Sequence, residues 1–236
     1  MQLIDAANGY HVWAGSYDRE WADAIAIQDS ISRSITKALE VVLTPDAERK
    51  LKRDGVANLA AYEQYLAGVS AMHQSADLSQ ANKAADLFGK ALALDPGHAS
   101  AWANKGTVLI NMGRYEVAAQ ALAKAGNLDP NNISVWINRA ACLMNLGRAQ
   151  DALEALNKAL ALDPRHATAC RRRGIALISL GRDQEALNAL EAALAIDQGD
   201  AASWAGKGTA LANLGRYEEA LMTLDEFWAT REIAGV

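Results

Sequence analysis

Residues 99–130 read ASAWANKGTVLINMGRYEVAAQALAKAGNLDP, and this stretch decides the fold. Trp102 and Gly106 stand four residues apart, which places them on one face of a helix. Gly113 ends that helix, because glycine readily adopts the left-handed backbone needed at a helix C-terminus. Pro130 ends the segment that follows, since proline cannot continue a helix interior. The stretch therefore predicts two helices joined by a tight turn.

The same pattern recurs with a period of 34 residues, and such a period is typical of stacked helical repeats. Three features repeat in phase. Aspartate, usually followed by proline, occurs at Asp95-Pro96, Asp129-Pro130, Asp163-Pro164 and Asp197-Gln198. Tryptophan occurs at Trp102, Trp136 and Trp204, with Cys170 at the remaining position, and small residues follow at Gly106, Ala140, Gly174 and Gly208. A Gly-Arg pair occurs at Gly113-Arg114, Gly147-Arg148, Gly181-Arg182 and Gly215-Arg216.

The runs W-x3-G, G-R-Y-E-x-A and A-L-x-L-D-P resemble the tetratricopeptide repeat family. The resemblance covers roughly 170 of the 236 residues, including a divergent first unit at Tyr65–His98 with Gly68 in the place of tryptophan. It implies a mainly α fold with about five helix–turn–helix units, starting near residues 65, 99, 133, 167 and 201. These units are expected to form a right-handed α-solenoid whose first helices line a concave groove.

The segment before the repeats has a different pattern. Two β-type runs, Gln2–Ala6 and Tyr10–Tyr17, flank Ala7-Asn8-Gly9, and Asn-Gly between such runs predicts a hairpin. Apolar residues at helical spacing predict a helix from Arg19 to Leu43, and Pro45 opens a shorter helix that ends near Lys52. We therefore expect an N-terminal domain at 1–57 and a repeat domain at 58–236.

Residues Gln2–Ser32 also resemble the end of a TolB-like (FlgO-type) domain, through Q-L-I-D-A-x-x-G-Y-H-V-W-A-x-S-Y-D-R-E and I-A-I-Q-D-S-I-S. Such domains precede repeat arrays in bacterial adenylate cyclase-like and winged-helix signalling proteins. The resemblance implies that the chain begins inside the last strands of that domain. It also leaves the compartment open: few cysteines fit the cytoplasm, whereas TolB-like contexts include proteins that face the periplasm.

Several functional classes are disfavoured by composition and motifs. A net charge of −5 argues against a nucleic-acid binder. No apolar run of about 18 residues is present to span a membrane. The four histidines are scattered, with His98 and His166 expected at solvated turns, and no metal, cofactor or catalytic set is recognisable. Cys142 and Cys170 fall on first helices, where buried free thiols are expected. We therefore expect a protein that is not an enzyme.

The groove that the family resemblance implies would be lined by polar residues of the first helices. Asparagine amides offer both a donor and an acceptor to an extended peptide, and arginine can bind a carboxylate with two hydrogen bonds. Ala103 and Ile137 stand where the first lysine of the family's carboxylate clamp would be, so that particular activity is not expected. The candidate partner-binding residues are Asn104, Thr107, Asn111, Asn138, Asn145, Arg171 and Arg172.

A basic residue recurs in phase in four repeats, and stacking would align the four as a basic ladder. The alternative is that each pairs with a nearby carboxylate and remains solvated. The ladder residues are Lys105, Arg139, Arg173 and Lys207.

The array ends with Phe227 and Trp228 and no polar capping helix, although repeat arrays need a solvated cap. The two rings are expected either to contact another chain or to fold inward. A further hypothesis is therefore self-association through this end or through the N-terminal hairpin.

Two functions fit these features. The first is a scaffold that binds a peptide or partner protein in the repeat groove. The alternative is the regulatory or sensory arm of a signalling enzyme or transcription regulator whose effector domain is absent from this chain.

Overall fold

The structure is a computed structural model that describes residues 2–4, 11–14, 59–73 and 78–234. It divides into two compact units, Met1–Pro96 and Gly97–Val236. The described part is mainly α-helical.

The first unit contains two short strands, β1 (Gln2–Ile4) and β2 (His11–Ala14), which pair antiparallel with Leu3 opposite Trp13. The register is irregular between Leu3 and Ile4. The predicted turn at Ala7-Asn8-Gly9 and the predicted helices between Arg19 and Lys52 lie outside the described residues. The hairpin and the TolB-like domain therefore stay predictions, as does the domain boundary at 57/58.

The same unit contains the helices α1 (Leu59–His73) and α2 (Leu78–Leu94), which pack against each other. Phe88 of α2 is fully buried, and a Cβ at Gly68 of α1 would lie only 2.7 Å from its Cε1 atom. The absence of a side chain at Gly68 thus makes room for the Phe88 ring. This contact explains why glycine stands at the position that tryptophan takes in later repeats.

The second unit consists of successive helical hairpins, as the 34-residue period predicted. We call α3, α5, α7 and α9 the first helices and α4, α6, α8 and α10 the second helices. Each helix packs against the next, and first helices of neighbouring repeats also contact one another. The helices are α3 (Ala99–Asn111), α4 (Tyr115–Leu128), α5 (Ile133–Asn145), α6 (Ala149–Leu162), α7 (Ala167–Ser179), α8 (Asp183–Leu194), α9 (Ala201–Asn213) and α10 (Tyr217–Ala234).

The core of this unit is built where small residues of first helices meet leucines of second helices. A Cβ added at Gly106 would lie 2.6 Å from Cγ of Leu122, and one at Gly174 would lie 2.5 Å from Cγ of Leu190. Both leucines are fully buried. The glycines four residues after Trp102 and Cys170 therefore allow the close helix approach that the sequence predicted.

The turn inside each repeat is made by a glycine in the left-handed region. At Gly147 φ is +72°, and Gly113, Gly181 and Gly215 are similar. The backbone N–H of Arg148 donates to the carbonyl of Leu143 at 2.8 Å, which closes the last turn of α5. The predicted helix ends are confirmed.

The aspartate between repeats folds the chain locally. The Asp129 carboxylate accepts a hydrogen bond from the backbone N–H of Asn131 at 3.2 Å, and Asp163 accepts one from Arg165 at 3.0 Å. His98, which was expected at a solvated turn, follows the turn at Pro96-Gly97 and is partly exposed. This half-buried residue is the N-cap of α3, and its Nδ1 accepts a hydrogen bond from the N–H of Ala101 at 3.3 Å.

Candidate functional site

Two tryptophans of the first helices, Trp136 and Trp204, are anchored to the turns that precede them. The indole N–H of Trp136 donates to the Pro130 carbonyl at 2.8 Å, and that of Trp204 donates to the Gln198 carbonyl at 2.9 Å. Both acceptors lie six residues before the ring. Each of these indoles is therefore held at a fixed place beside the turn that joins two repeats.

The predicted basic ladder lies against these rings. Lys105 Nζ is 5.8 Å from the centroid of the Trp102 ring, and the Arg139 guanidinium carbon is 5.9 Å from that of Trp136. Lys207 Nζ lies 5.2 Å from the Trp204 ring. These distances are within the range of cation–π attraction. Three ladder residues thus accompany the tryptophan of their own repeat.

The alternative of carboxylate pairing is realised at Lys207, whose Nζ lies 3.4 Å from Glu226 and 3.9 Å from Glu191. Two second-helix lysines also cover the rings: Nζ of Lys124 is 4.4 Å from the Trp102 ring, and Nζ of Lys158 is 4.4 Å from the Trp136 ring. Sequence reasoning missed these lysines. Their shared phase, 34 residues apart, was the signal that could have revealed them.

The fourth repeat has the same framework without the ring. Cys170 replaces tryptophan, and its thiol lies 3.8 Å from the Pro164 carbonyl. Both cysteines are free and buried, as expected. Burial raises the pKa of the Cys170 thiol, while the positive charge of Arg173 opposes that rise. A cleft of about 480 Å³ opens here, lined by Leu160, Pro164, Cys170, Arg173, Glu185, Asn188, Ala189 and Ala192.

The two predicted groove arginines differ in their contacts. Arg171 Nη1 donates to the Asp200 carboxylate at 2.9 Å, and both side chains are mostly shielded from solvent. The other oxygen of Asp200 accepts a hydrogen bond from the Ser203 hydroxyl at 2.6 Å. This network joins α7 to the start of α9, so Arg171 has a structural partner.

Arg172 has no comparable partner for one of its nitrogens. Its Nε is buried and makes no hydrogen bond within the described part of the chain. Burial lowers the pKa of the Arg172 guanidinium, and the neighbouring charge of Arg171 lowers it further. The first helices therefore carry a poorly compensated positive charge at this point.

The other predicted groove residues lie in phase on the first helices. Asn111 and Asn145 are exposed, whereas Asn104, Asn138 and Thr107 are half-buried. The Asn145 amide donates to the Ala141 carbonyl at 2.9 Å, and the Thr107 hydroxyl donates to the Ala103 carbonyl at 3.1 Å. Because first helices of successive repeats contact one another, these residues belong to neighbouring elements. Their role in binding stays a prediction.

The end of the array carries an exposed apolar face that the sequence did not reveal. Helix α10 continues past Trp228 to Ala234, and Tyr217, Leu221 and Met222 on it are exposed. Phe227 is half-buried, and the side chain of Trp228 lies outside the described residues. Self-association through this end stays a prediction.

The described residues contain no group of three His, Cys, Asp or Glu side chains placed to hold a metal ion. Within the same residues, no helix combines the length and apolar character needed to cross a membrane.

Comparison with known proteins identifies the family of the repeat region. Three family profiles, each described as tetratricopeptide repeat, match residues 76–142, 132–199 and 184–227. A putative adenylate cyclase 3 from Rhizobium meliloti (strain 1021) is 34% identical over 109 residues, which are 46% of this chain and 18% of that protein. The chain thus spans about a fifth of the length of this curated relative.

Solved structures agree on the fold. A MamA crystal structure matches with a TM-score of 0.67 and 21% identity, covering 72% of this chain and 93% of the other. YrrB, described as a TPR protein with an unusual peptide-binding site, matches with a TM-score of 0.61 and 23% identity, covering 77% and 90%. The matched residues 76–227 make up most of the chain, which therefore belongs to the tetratricopeptide repeat family.

Proposed function

We propose that this chain is a non-enzymatic scaffold that binds an acidic peptide segment of a partner protein along its first helices. Helical repeats of this kind present side chains at regular intervals on neighbouring elements, which suits an extended ligand. The asparagines at 104, 111, 138 and 145 would bind the backbone of that ligand. The arginines of α7 would select its charge.

Arg172 is the observation that carries this proposal. Its side chain is only half-buried, its Nε makes no hydrogen bond within the described residues, and burial and the charge of Arg171 lower the pKa of its guanidinium. A ligand carboxylate beside this side chain would supply the negative charge that stabilises it. Arg171 adds to the attraction, because its positive charge is adjacent to that of Arg172 and lowers the pKa of the Arg172 guanidinium further. The ligand would therefore place an aspartate, a glutamate or a C-terminal carboxylate beside α7.

The test is selection of binders from a random peptide library, followed by titration of the best peptides into wild type and Arg172→Ala. We expect enrichment of acidic peptides and at least about a tenfold weaker affinity for the variant, since a hydrogen bond to a charged group contributes about 1.5–3 kcal/mol. Arg165→Ala is the matched control, because it removes the same charge from an exposed turn. Enrichment without acidic residues, or equal loss in both variants, would refute the proposal.

A second candidate is the regulatory arm of a signalling enzyme or transcription regulator. The observation that favours it is the 34% identity to part of a putative adenylate cyclase. On this proposal the repeats bind the effector part of the same system. An adjacent reading frame that encodes a cyclase or winged-helix domain supports it, and co-purification of that domain with the repeat array tests it. Failure of the two proteins to associate would remove this candidate.

A further inference from the structure

The cleft at Cys170 occupies the place that an indole ring takes in other repeats of the same unit. Trp136 and Trp204 are in phase with Cys170, at distances of exactly one repeat in either direction along the sequence. A cysteine side chain is far smaller than an indole. The cleft of about 480 Å³ beside Cys170 is large enough for an aromatic ring.

The groups that hold an indole in the other repeats remain at this cleft. The Pro164 carbonyl is in phase with the Pro130 and Gln198 carbonyls, each of which accepts an indole N–H at 2.8–2.9 Å. Within the part of the chain that the structure describes, its partner is the Cys170 thiol at 3.8 Å, which is a weak donor. An N–H acceptor is thus available to a ligand.

The cleft also contains a cationic side chain that can lie against the face of an aromatic ring. Arg173 is in phase with Lys105, Arg139 and Lys207, which accompany tryptophan rings at 5.2–5.9 Å. Arg173 lines the cleft, and its buried Nε makes no hydrogen bond within the residues described. Its guanidinium therefore has the position of a ring-covering cation without the ring.

The side of the cleft that faces the second helix is open because the lysine that covers the ring in earlier repeats is absent. Lys124 and Lys158 cover the rings of the two preceding repeats at 4.4 Å, but Ala192 stands at the next position in phase. Ala192 is exposed, so it marks the mouth of the cleft. Glu185 is already bound by Arg182 through two hydrogen bonds of 2.8 and 2.7 Å. The mouth of the cleft is therefore left open, because the small side chain of Ala192 stands in the place of a covering lysine.

We propose that this cleft binds the indole of a tryptophan side chain from another protein. The incoming ring would lie beside Arg173 and donate its N–H to the Pro164 carbonyl, with Leu160 and Ala189 as apolar contacts. The contact is separate from the acidic-peptide proposal, because changing Arg172 removes no residue that lines the cleft. The two proposals can thus fail independently.

The test uses the full chain and three probes: free indole, N-acetyltryptophanamide, and a capped Gly-Trp-Gly tripeptide. Binding is followed by two-dimensional amide NMR, since the six native tryptophans would obscure a fluorescence signal. For so small a ligand we expect a dissociation constant on the order of 1 mM. The amide shifts should centre on Leu160, Cys170 and Ala189.

Two variants block the cleft in different ways. Cys170→Trp supplies the missing ring. The next repeat has Leu194 in phase with Leu160 and still carries Trp204, which is half-buried, whereas Trp136 is buried against Gly126. Ala192→Phe places a ring at the exposed mouth, and Ala93→Phe, at an exposed helix site elsewhere, is its matched control. Each blocking variant should weaken tripeptide binding at least tenfold while its helical circular dichroism is unchanged.

Arg173→Gln should weaken binding severalfold. No saturable binding by wild type, or unchanged binding in Ala192→Phe, would overturn the proposal. Binding of free indole without binding of the tripeptide would overturn the assignment to a protein side chain.

Discussion

The ring of Trp136 in α5 lies directly on Gly126 in α4, with its Cη2 atom 2.8 Å from the place where a Cβ would stand. The same ring is only 3% exposed. Its N–H is fixed by the Pro130 carbonyl, so the ring cannot retreat without losing that hydrogen bond. The contact between repeats two and three therefore depends on the absence of a side chain at Gly126.

Gly126→Leu should destabilise the protein by about 1–2 kcal/mol. Overpacking destabilises a core by roughly 1–3 kcal/mol, whereas replacing a glycine within a helix stabilises the helix by up to about 1 kcal/mol. Urea denaturation followed by circular dichroism measures the difference. Asn127→Leu, at the next and exposed position of α4, is the control and should not lower stability. Equal midpoints for both variants would contradict the packing argument.

The repeat register was predictable because it follows from local chemistry. The residues of one repeat determine where its helices start and end: glycine at the turn, proline or aspartate between repeats, and a small residue opposite a leucine. Contacts between repeats were harder to predict from the sequence. Arg171 and Asp200 are 29 residues apart and form a pair only because α7 packs against α9. Sequence reasoning assigned Arg171 to a ligand, since that packing was not yet known.

The cleft shows a second limit of sequence reasoning. Cys170 was recognised as a departure from the tryptophan pattern, but a missing ring leaves space only if the neighbours do not fill it. Here Leu160 stands where Gly126 stands one repeat earlier, and Ala192 where Lys158 stands. These changes act in opposite directions on the free volume. The net result of the two changes, a cleft of about 480 Å³, depends on how the helices pack.

The turn glycines should be sensitive to backbone strain alone. Gly147 has φ of +72°, and nothing lies within 4 Å of an added Cβ. Gly147→Ala is expected to cost about 1–2 kcal/mol, because an L side chain is disfavoured in this region. Gly147→Asn should cost clearly less, since asparagine tolerates the left-handed region better. Equal losses of unfolding free energy for the alanine and asparagine variants, measured by chemical denaturation, would show that the left-handed backbone at Gly147 is not the cause.

The Arg171–Asp200 network should contribute to stability. Asp200→Ala leaves the half-buried Arg171 guanidinium and the fully buried Ser203 hydroxyl without their acceptor, at an expected cost of about 2–3 kcal/mol. The comparison is Glu219→Gln, which weakens the exposed pair with Arg216. Exposed pairs contribute little, so no measurable change in the unfolding midpoint is expected there. Similar destabilisation by both substitutions would rule out a special role for the buried network.

The buried thiol of Cys142 should make stability depend on pH in the alkaline range. Burial raises the pKa of Cys142 from 9.0 to about 11. Between these values the unfolded chain loses the thiol proton and the folded chain keeps it. The stabilising contribution is therefore complete below pH 9 and is lost as pH rises through about 11, by roughly 1–3 kcal/mol in total.

Cys142→Ala separates this effect from other groups that titrate in the same range. Removal of the sulfur lowers stability at every pH, but the gap between wild type and variant should narrow from pH 9 to pH 11. Urea unfolding of both proteins at several pH values measures that gap. Reaction with a thiol reagent at pH 8 is a second readout, because little thiolate forms in the folded protein. A gap that stays constant across the range, with rapid labelling at pH 8, would mean that the Cys142 thiol ionises as freely in the folded state as in the unfolded chain.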